Sequence, residues 1–227
     1  MKLLLALSLF WLCATLGFAQ KLIHERPDYE SIEKAINDTA SANYYPKLMQ
    51  RFLDNDTTLT LTHYKLLYYG YTFQKEYIPY PDLPHDSIIA HYAGLTGAEK
   101  CDTIIKYASQ GLQIMPLDIF KLNRLAYAYH LKGNDATAKL YGNKAKQLME
   151  VILTTGNGRS TQTAWHVISV SDEYEIIYVL RFYPMSQQLI GHECDYITLA
   201  ENTSRLQGLY FNIRRLLDVE AARTKKN

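Results

Sequence analysis

Cysteine is scarce in this 227-residue chain, with residues only at Cys13, Cys101 and Cys194. Three cysteines cannot make the multi-bridge framework of a disulfide-stapled scaffold. Net charge is nearly absent: 24 Lys and Arg against 23 Asp and Glu give +1. That balance lacks the basic excess that neutralises nucleic-acid phosphates, so no nucleic-acid partner is expected. No run after the N-terminus approaches the roughly 18 apolar residues of a membrane span, so no transmembrane segment is expected beyond that point. Motifs of common chemistry are missing too. There is no Gly-x-Ser-x-Gly elbow. Gly156-Asn157-Gly158-Arg159-Ser160 lacks the lysine of a phosphate loop and precedes a strand-like stretch, which makes it a helix stop and turn. The histidines at 24, 63, 85, 91, 130 and 166 show no metal-ligand spacing, and no cofactor is expected.

Tyrosine, by contrast, is abundant: 19 residues, against 7 Phe and 2 Trp. With 48% hydrophobic and 21% charged residues, the composition is that of a globular chain.

The N-terminus has the form of a secretory signal. Lys2 is its only charge, Leu3 to Leu12 is apolar except for Ser8, and Gly17-Phe18-Ala19 offers a small-x-small cleavage site. Residues 1–19 are therefore read as a signal peptide and the protein as periplasmic or secreted. Loss of Lys2 would leave a formally neutral chain. Loss of Cys13 would leave Cys101 and Cys194, an even pair that could close one disulfide or remain two buried thiols.

Two regions follow. Residues 20–155 carry helical spacing. Ile32, Ala35 and Ile36 place an amphipathic helix over Asp28 to Ala40, Tyr44 to Leu53 a second, and Leu61 to Tyr77 an aromatic-rich third, ended by Pro79, Pro81 and Pro84. A unit of about 34 residues starting at Ile119 puts Gly133 at position 15. Leu122, Leu125, Ala126 and Tyr129 then fall at positions 4, 7, 8 and 11, and Ala138 and Ala145 at 20 and 27. This resembles the tetratricopeptide repeat, in which small residues let paired helices approach closely. One period upstream, His85 to Asp118 keeps Pro116 at position 32 but is otherwise a poor match. Residues 156–227 read as strands: Ala164 to Val170 and Glu173 to Phe182 as a hairpin about Ser171-Asp172, a break at Pro184, then Gln187 to Ile190, Asp195 to Ala200 and Gly208 to Ile213. The tail from Arg214 reads as a charged helix. The expectation is α+β: tetratricopeptide-like helical hairpins followed by an antiparallel sheet, packed together as one domain.

Two strings, LTLTHYKLLYYGYTFQKEYIPY at 59–80 and GNGRSTQTAWHVISVSDEYEIIY at 156–178, with LYFNI at 209–213, resemble an exported bacterial family of the Bacteroides group catalogued as domain of unknown function 4919. The resemblance implies an envelope or secreted location and assigns no chemistry to any residue.

Resemblance to the tetratricopeptide repeat implies a groove lined by positions 2, 5, 9 and 12 of the first helix, here Phe120, Asn123, Tyr127 and His130. An amide there can bond a peptide backbone, and Tyr offers flat contact area with a polar tip. His192-Glu193-Cys194-Asp195 is the densest set of potential metal ligands but supplies too few for zinc, and reads as a polar turn. The expected function is a non-enzymatic protein- or peptide-binding module of the bacterial envelope. The rival is a hydrolase using carboxylates of the C-terminal region, which requires Glu173, Glu201 or His166 to converge in a cleft.

Overall fold

A computed structural model describes residues 24–81, 86–93 and 98–225. The signal-like segment lies outside these. The first helices are short and capped by their own sequence. Helix α1 (Tyr29–Asn37) starts at Asp28, whose carboxylate accepts from Ser31 N, and α2 (Tyr45–Leu53) has Pro46 in its first turn. Helix α3 runs Leu61–Gly70 behind a reciprocal Thr60–His63 cap and passes into a 3₁₀ turn at Tyr71–Phe73, so the expected helix to Tyr77 ends early. Helices α4 (Asp86–Ala93), α5 (Ala98–Ile114), α6 (Ile119–Leu131) and α7 (Asp135–Leu153) each pack on the next. The α6–α7 turn places Gly133 at φ +73°, beside an Asn134 cap. Leu122, Leu125, Ala138 and Ala145 are buried.

The C-terminal region departs most from expectation. Strand β1 is only Trp165–His166, and the expected second strand is helix α8 (Val170–Val179). Ser171-Asp172, read as a hairpin turn, is the first turn of that helix, capped by Ser169 accepting from Ser171 N. Its buried residues, Asp172, Glu173, Glu175, Ile176 and Ile177, fall at helical spacing, but three of the five are acids. The β-branched and aromatic residues between them suggested a strand. Pro184 opens strand β2 (Pro184–Ile190) instead of breaking the chain. Strands β3 (Cys194–Leu199) and β4 (Gly208–Asn212) and helix α9 (Arg214–Thr224) lie close to where they were expected.

The sheet order is β1-β4-β3-β2. The β2–β3 and β3–β4 pairs are antiparallel, but β1 pairs parallel to β4, with Trp165 opposite Phe211. The sheet is therefore mixed and the whole is α+β. The connection from β1 to β4 runs through α8 and the β2–β3 hairpin, which gives the length a parallel return needs.

One apolar core extends from Ile32 and Leu48 through Tyr68, Leu148 and Ile176 to Phe211 and Leu216, so the sheet and the helices share it. A satellite core of Ile89, Cys101, Ile104, Ala108, Leu125 and Ala128 joins α4, α5 and α6. Cys101 lies there and Cys194 begins β3; both are buried free thiols, and the disulfide is not formed.

Gly158 and Gly133 share the left-handed conformation but differ in surroundings. A Cβ at Gly158 (φ +67°) would lie 2.5 Å from Trp165 Cζ3, whereas one at Gly133 meets nothing within 4 Å. Gly133→Ala should therefore cost about 1 kcal/mol, the backbone term alone. Gly158→Ala should cost more, ~2 kcal/mol or above, because the indole must move as well. Urea unfolding of the two variants measures the difference.

Candidate interaction site

Tyrosines of α3 and the following turn hold the segment that leads into α8. Tyr69 Oη donates to His166 O (3.0 Å), Tyr77 Oη to Ile168 O (2.7 Å) and Tyr68 Oη to Asp172 Oδ2 (2.6 Å), while Ile168 N donates back to Tyr68 Oη (3.2 Å). The two sequence strings that carried the family resemblance thus lie against each other. Buried phenols need acceptors, and here the backbone of 166–168 and one carboxyl supply them. Burial pushes the Asp172 carboxyl well above its usual range, against the opposing effect of the Tyr68 hydrogen bond.

The other acids of α8 reach different elements. Glu175 accepts from Asn123 Nδ2 (2.7 Å) and pairs with Arg124 (3.4 Å) on α6. Glu173, fully buried, lies beside Asp195 of β3 and Gln187 of β2; Gln187 Nε2 donates to Asp195 Oδ2 (2.6 Å), and Tyr174 Oη donates to Gln187 Oε1 (2.7 Å). Burial, with Asp195 and Asp172 nearby, pushes the Glu173 carboxyl well above its ordinary 4.5. Burial also raises the neighbouring Asp195 carboxyl, against the hydrogen bond from Gln187.

The residues named for a carboxylate enzyme do not converge. In the strand register, His166 aligns with Asn212 and Cys194, while Trp165 aligns with Phe211 and Asp195, so His166 and the Glu173–Asp195 pair lie on opposite faces of the sheet. His166 instead lines a cleft of about 560 Å³ with Arg26, Glu193 and Arg214, where burial and then Arg26 depress it to about 4. Glu201 is exposed on the turn after β3. Among the described residues no group of three or more His, Cys, Asp or Glu is placed to hold a metal ion, and His192 sits in a turn at φ +62°.

The four residues expected to line a groove do not share one surface role. Asn123 is bonded to Glu175. Phe120 is half-buried under the Arg124 guanidinium, 4.9 Å from its ring. Tyr127 is exposed, and His130 is exposed with its Nδ1 2.7 Å from Asp135.

The exposed feature that sequence reasoning passed over begins where α8 ends. Tyr178, Val179, Leu180, Tyr183, Met185 and Leu189 are all exposed, Tyr183 and Met185 by 73% and 70%. Arg181 is the one charged residue between Ile176 and Gly191. Strand β2 is an edge, paired only with β3. Val179 also borders an apolar cleft of about 380 Å³ with Ala145, Met149 and Leu153 of α7. Natural edge strands usually carry charge or cover; β2 carries no charged residue, and among the described residues only Pro184 and the register irregularity between Pro184 and Ser186 protect it. A run of uncharged residues with exposed apolar side chains was visible in the sequence, but its assignment to a buried hairpin hid its meaning.

The fold and this surface define an α+β protein with a helical-hairpin region and an uncharged, partly apolar sheet edge. The sequence profile of the family described as Domain of unknown function (DUF4919) matches residues 30–222, and the chain belongs to that family. Comparison with curated proteins and with solved structures gave no match.

The Glu173 carboxyl makes the stability of this region depend on pH. Its folded pKa lies above its unfolded one, so its contribution is complete below about pH 4.5 and is lost as pH rises toward the folded value. Glu173→Gln should therefore raise the urea midpoint at pH 7 and leave it nearly unchanged at pH 4. A variant less stable than wild type at pH 7 would show that the carboxyl is held ionised.

Proposed function

We propose that this protein is an exported, non-enzymatic protein- or peptide-binding module of the bacterial envelope. Its binding face is the strip from Tyr178 to Leu189. The observation that carries the reading is the uncharged edge strand β2, continuous with exposed Tyr178, Val179 and Leu180 and with the apolar cleft against α7. Contiguous exposed apolar surface of this kind marks interaction sites. An extended segment of a partner would add a fifth strand outside β2, its backbone bonded to the open edge and its side chains set against Met185 and Leu189. The tetratricopeptide-like reading of α4–α7 fits a second, helical wall beside the strip, on which Tyr127 is exposed. The signal-like N-terminus supports the envelope address.

The enzyme reading has the weaker support. Glu173 and Asp195 are neighbouring carboxyls, but both are buried, with Gln187 bonded to Asp195 and Tyr174 to Gln187.

Photo-crosslinking in the native bacterium tests the proposal. A benzoylphenylalanine at Val179 or Leu189 should give the same discrete adduct, and Met185→Lys should reduce it at least tenfold. The same residue at Glu33, exposed on α1, should give none. Equal adducts from all three positions, or none from the strip, would overturn the reading.

A further inference from the structure

Two lysines of the helical region are buried, and their surroundings differ. Lys121 is 1% exposed, and its ammonium lies 2.7 Å from both Asp118 and Asp86. Lys144 of α7 is 8% exposed, and no carboxylate pairs with it among the described residues. Its Nζ sits 4.5 Å from the centre of the Phe52 ring. Burial depresses its pKa to about 8, with Asp54 the charge that opposes this. Asp54 itself accepts from Gln50, and Asp56 is taken up by Arg51 Nε (2.7 Å) and by Thr58. Neither acid serves as a counter-ion to Lys144.

Lys144 lines a cavity of about 290 Å³ between α7 and the loop joining α2 to α3. Phe52, Leu59 and Tyr64 give it an apolar wall, Asn55, Asn143 and Gln147 polar edges, and Asp56, its carboxylate paired with Arg51 at 2.7 Å, one acid. Lys146 lies at the same mouth and adds a second positive charge. A second observation points the same way. Six tyrosines are buried among the described residues: Tyr45, Tyr64, Tyr68, Tyr69, Tyr71 and Tyr77. Five donate their hydroxyls to carbonyls or to a carboxyl. Tyr64, on the cavity wall, is the one with no hydroxyl partner among the described residues.

We propose that this cavity binds a small apolar carboxylate, with the Lys144 ammonium as its counter-ion and the Tyr64 hydroxyl as a second donor. A mostly buried ammonium without a paired acid gains from a ligand that brings one. The one acid of the lining, Asp56, is offset by Arg51, which leaves Lys144 and Lys146 to attract an anion, and the wall of Phe52, Leu59 and Tyr64 accepts an aromatic or short aliphatic tail. The volume is close to the lower end of ordinary ligand pockets, about 300 Å³, which suits a ligand of one ring or a short chain. The site is separate from the β2 strip, so its success or failure leaves the binding-module reading standing.

Trace labelling of the intact protein with acetic anhydride, read by peptide mass spectrometry across pH, tests it with sodium phenylacetate as probe. In the free protein Lys144 should titrate near pH 8. Saturating phenylacetate should move that midpoint up and slow Lys144 labelling at pH 8 at least fivefold, with Lys121 unchanged. By calorimetry, Lys144→Met should weaken phenylacetate binding at least tenfold and Tyr64→Phe about threefold, with wild-type circular dichroism. Phenethylamine should not bind. Labelling of Lys144 that ignores phenylacetate would overturn the proposal, as would protection by inorganic phosphate greater than by phenylacetate. Because the labelling is done on wild type, the outcome does not depend on a variant folding.

Discussion

The contact on which the rest of the structure depends is the buried hydrogen bond from Tyr68 to Asp172. It joins α3, in the helical region, to the first turn of α8, which lies between the strands in sequence. Around it the hydroxyls of Tyr69 and Tyr77 take the carbonyls of His166 and Ile168. These bonds fix the three residues that pass from β1 into α8, and so fix where α8 lies. Helix α8 then distributes its acids: Glu175 holds α6 through Asn123 and Arg124, and Glu173 meets Asp195 of β3. Buried carboxyls are costly to desolvate, so such an arrangement persists only where each finds a donor or a shared proton. The tyrosine excess of the composition is explained in good part by this requirement. A phenol fills core volume as a phenylalanine does, but also satisfies a backbone carbonyl that the short strand β1 leaves open.

The placement of α8 decides which surfaces stay open. It sets Glu173 beside Asp195 of β3 and brings its exposed C-terminal residues, Tyr178 to Leu180, next to the start of β2. Nothing in the described chain lies outside β2. The surface offered for binding is thus a consequence of the acid and tyrosine bonds: were α8 a strand, residues 178–189 would lie within a hairpin and not along an edge.

The same reasoning shows what was legible in the sequence. Apolar residues at helical spacing marked α1, α2, α6 and α7, because there burial follows hydrophobicity. Asp28, Asp118 and Asn134 mark helix starts in the way capping chemistry requires. Helix α8 was not legible, because three of its five buried residues are acids. Asp172 and Glu173 read as solvent-facing turn residues, and their partners lie 104 and 22 positions away, at Tyr68 and Asp195. The clue at hand was Ser169 three residues before Asp172, a helix-start spacing. The parallel β1–β4 pair was hidden for a related reason: two residues, Trp165 and His166, carry no period. The groove residues were placed on the right helix, but Asn123 was assigned to a partner when Glu175 of the same chain takes it. Cys101 and Cys194 showed nothing in sequence of the separate places they occupy.

The central claim is that the tyrosine bonds to 166–172 tie α8 and the helical region into one cooperative unit. Native-state hydrogen exchange of the Ile168 amide, which donates to Tyr68, measures this most directly when followed across urea below the unfolding transition. The account predicts that Ile168, the Leu180 amide that bonds back to Ile176 O of α8 and the core amides of α3 merge into one exchange isotherm and open only with global unfolding. Exchange of Ile168 and Leu180 through a low-energy, urea-independent opening, while α3 stays protected, would contradict it.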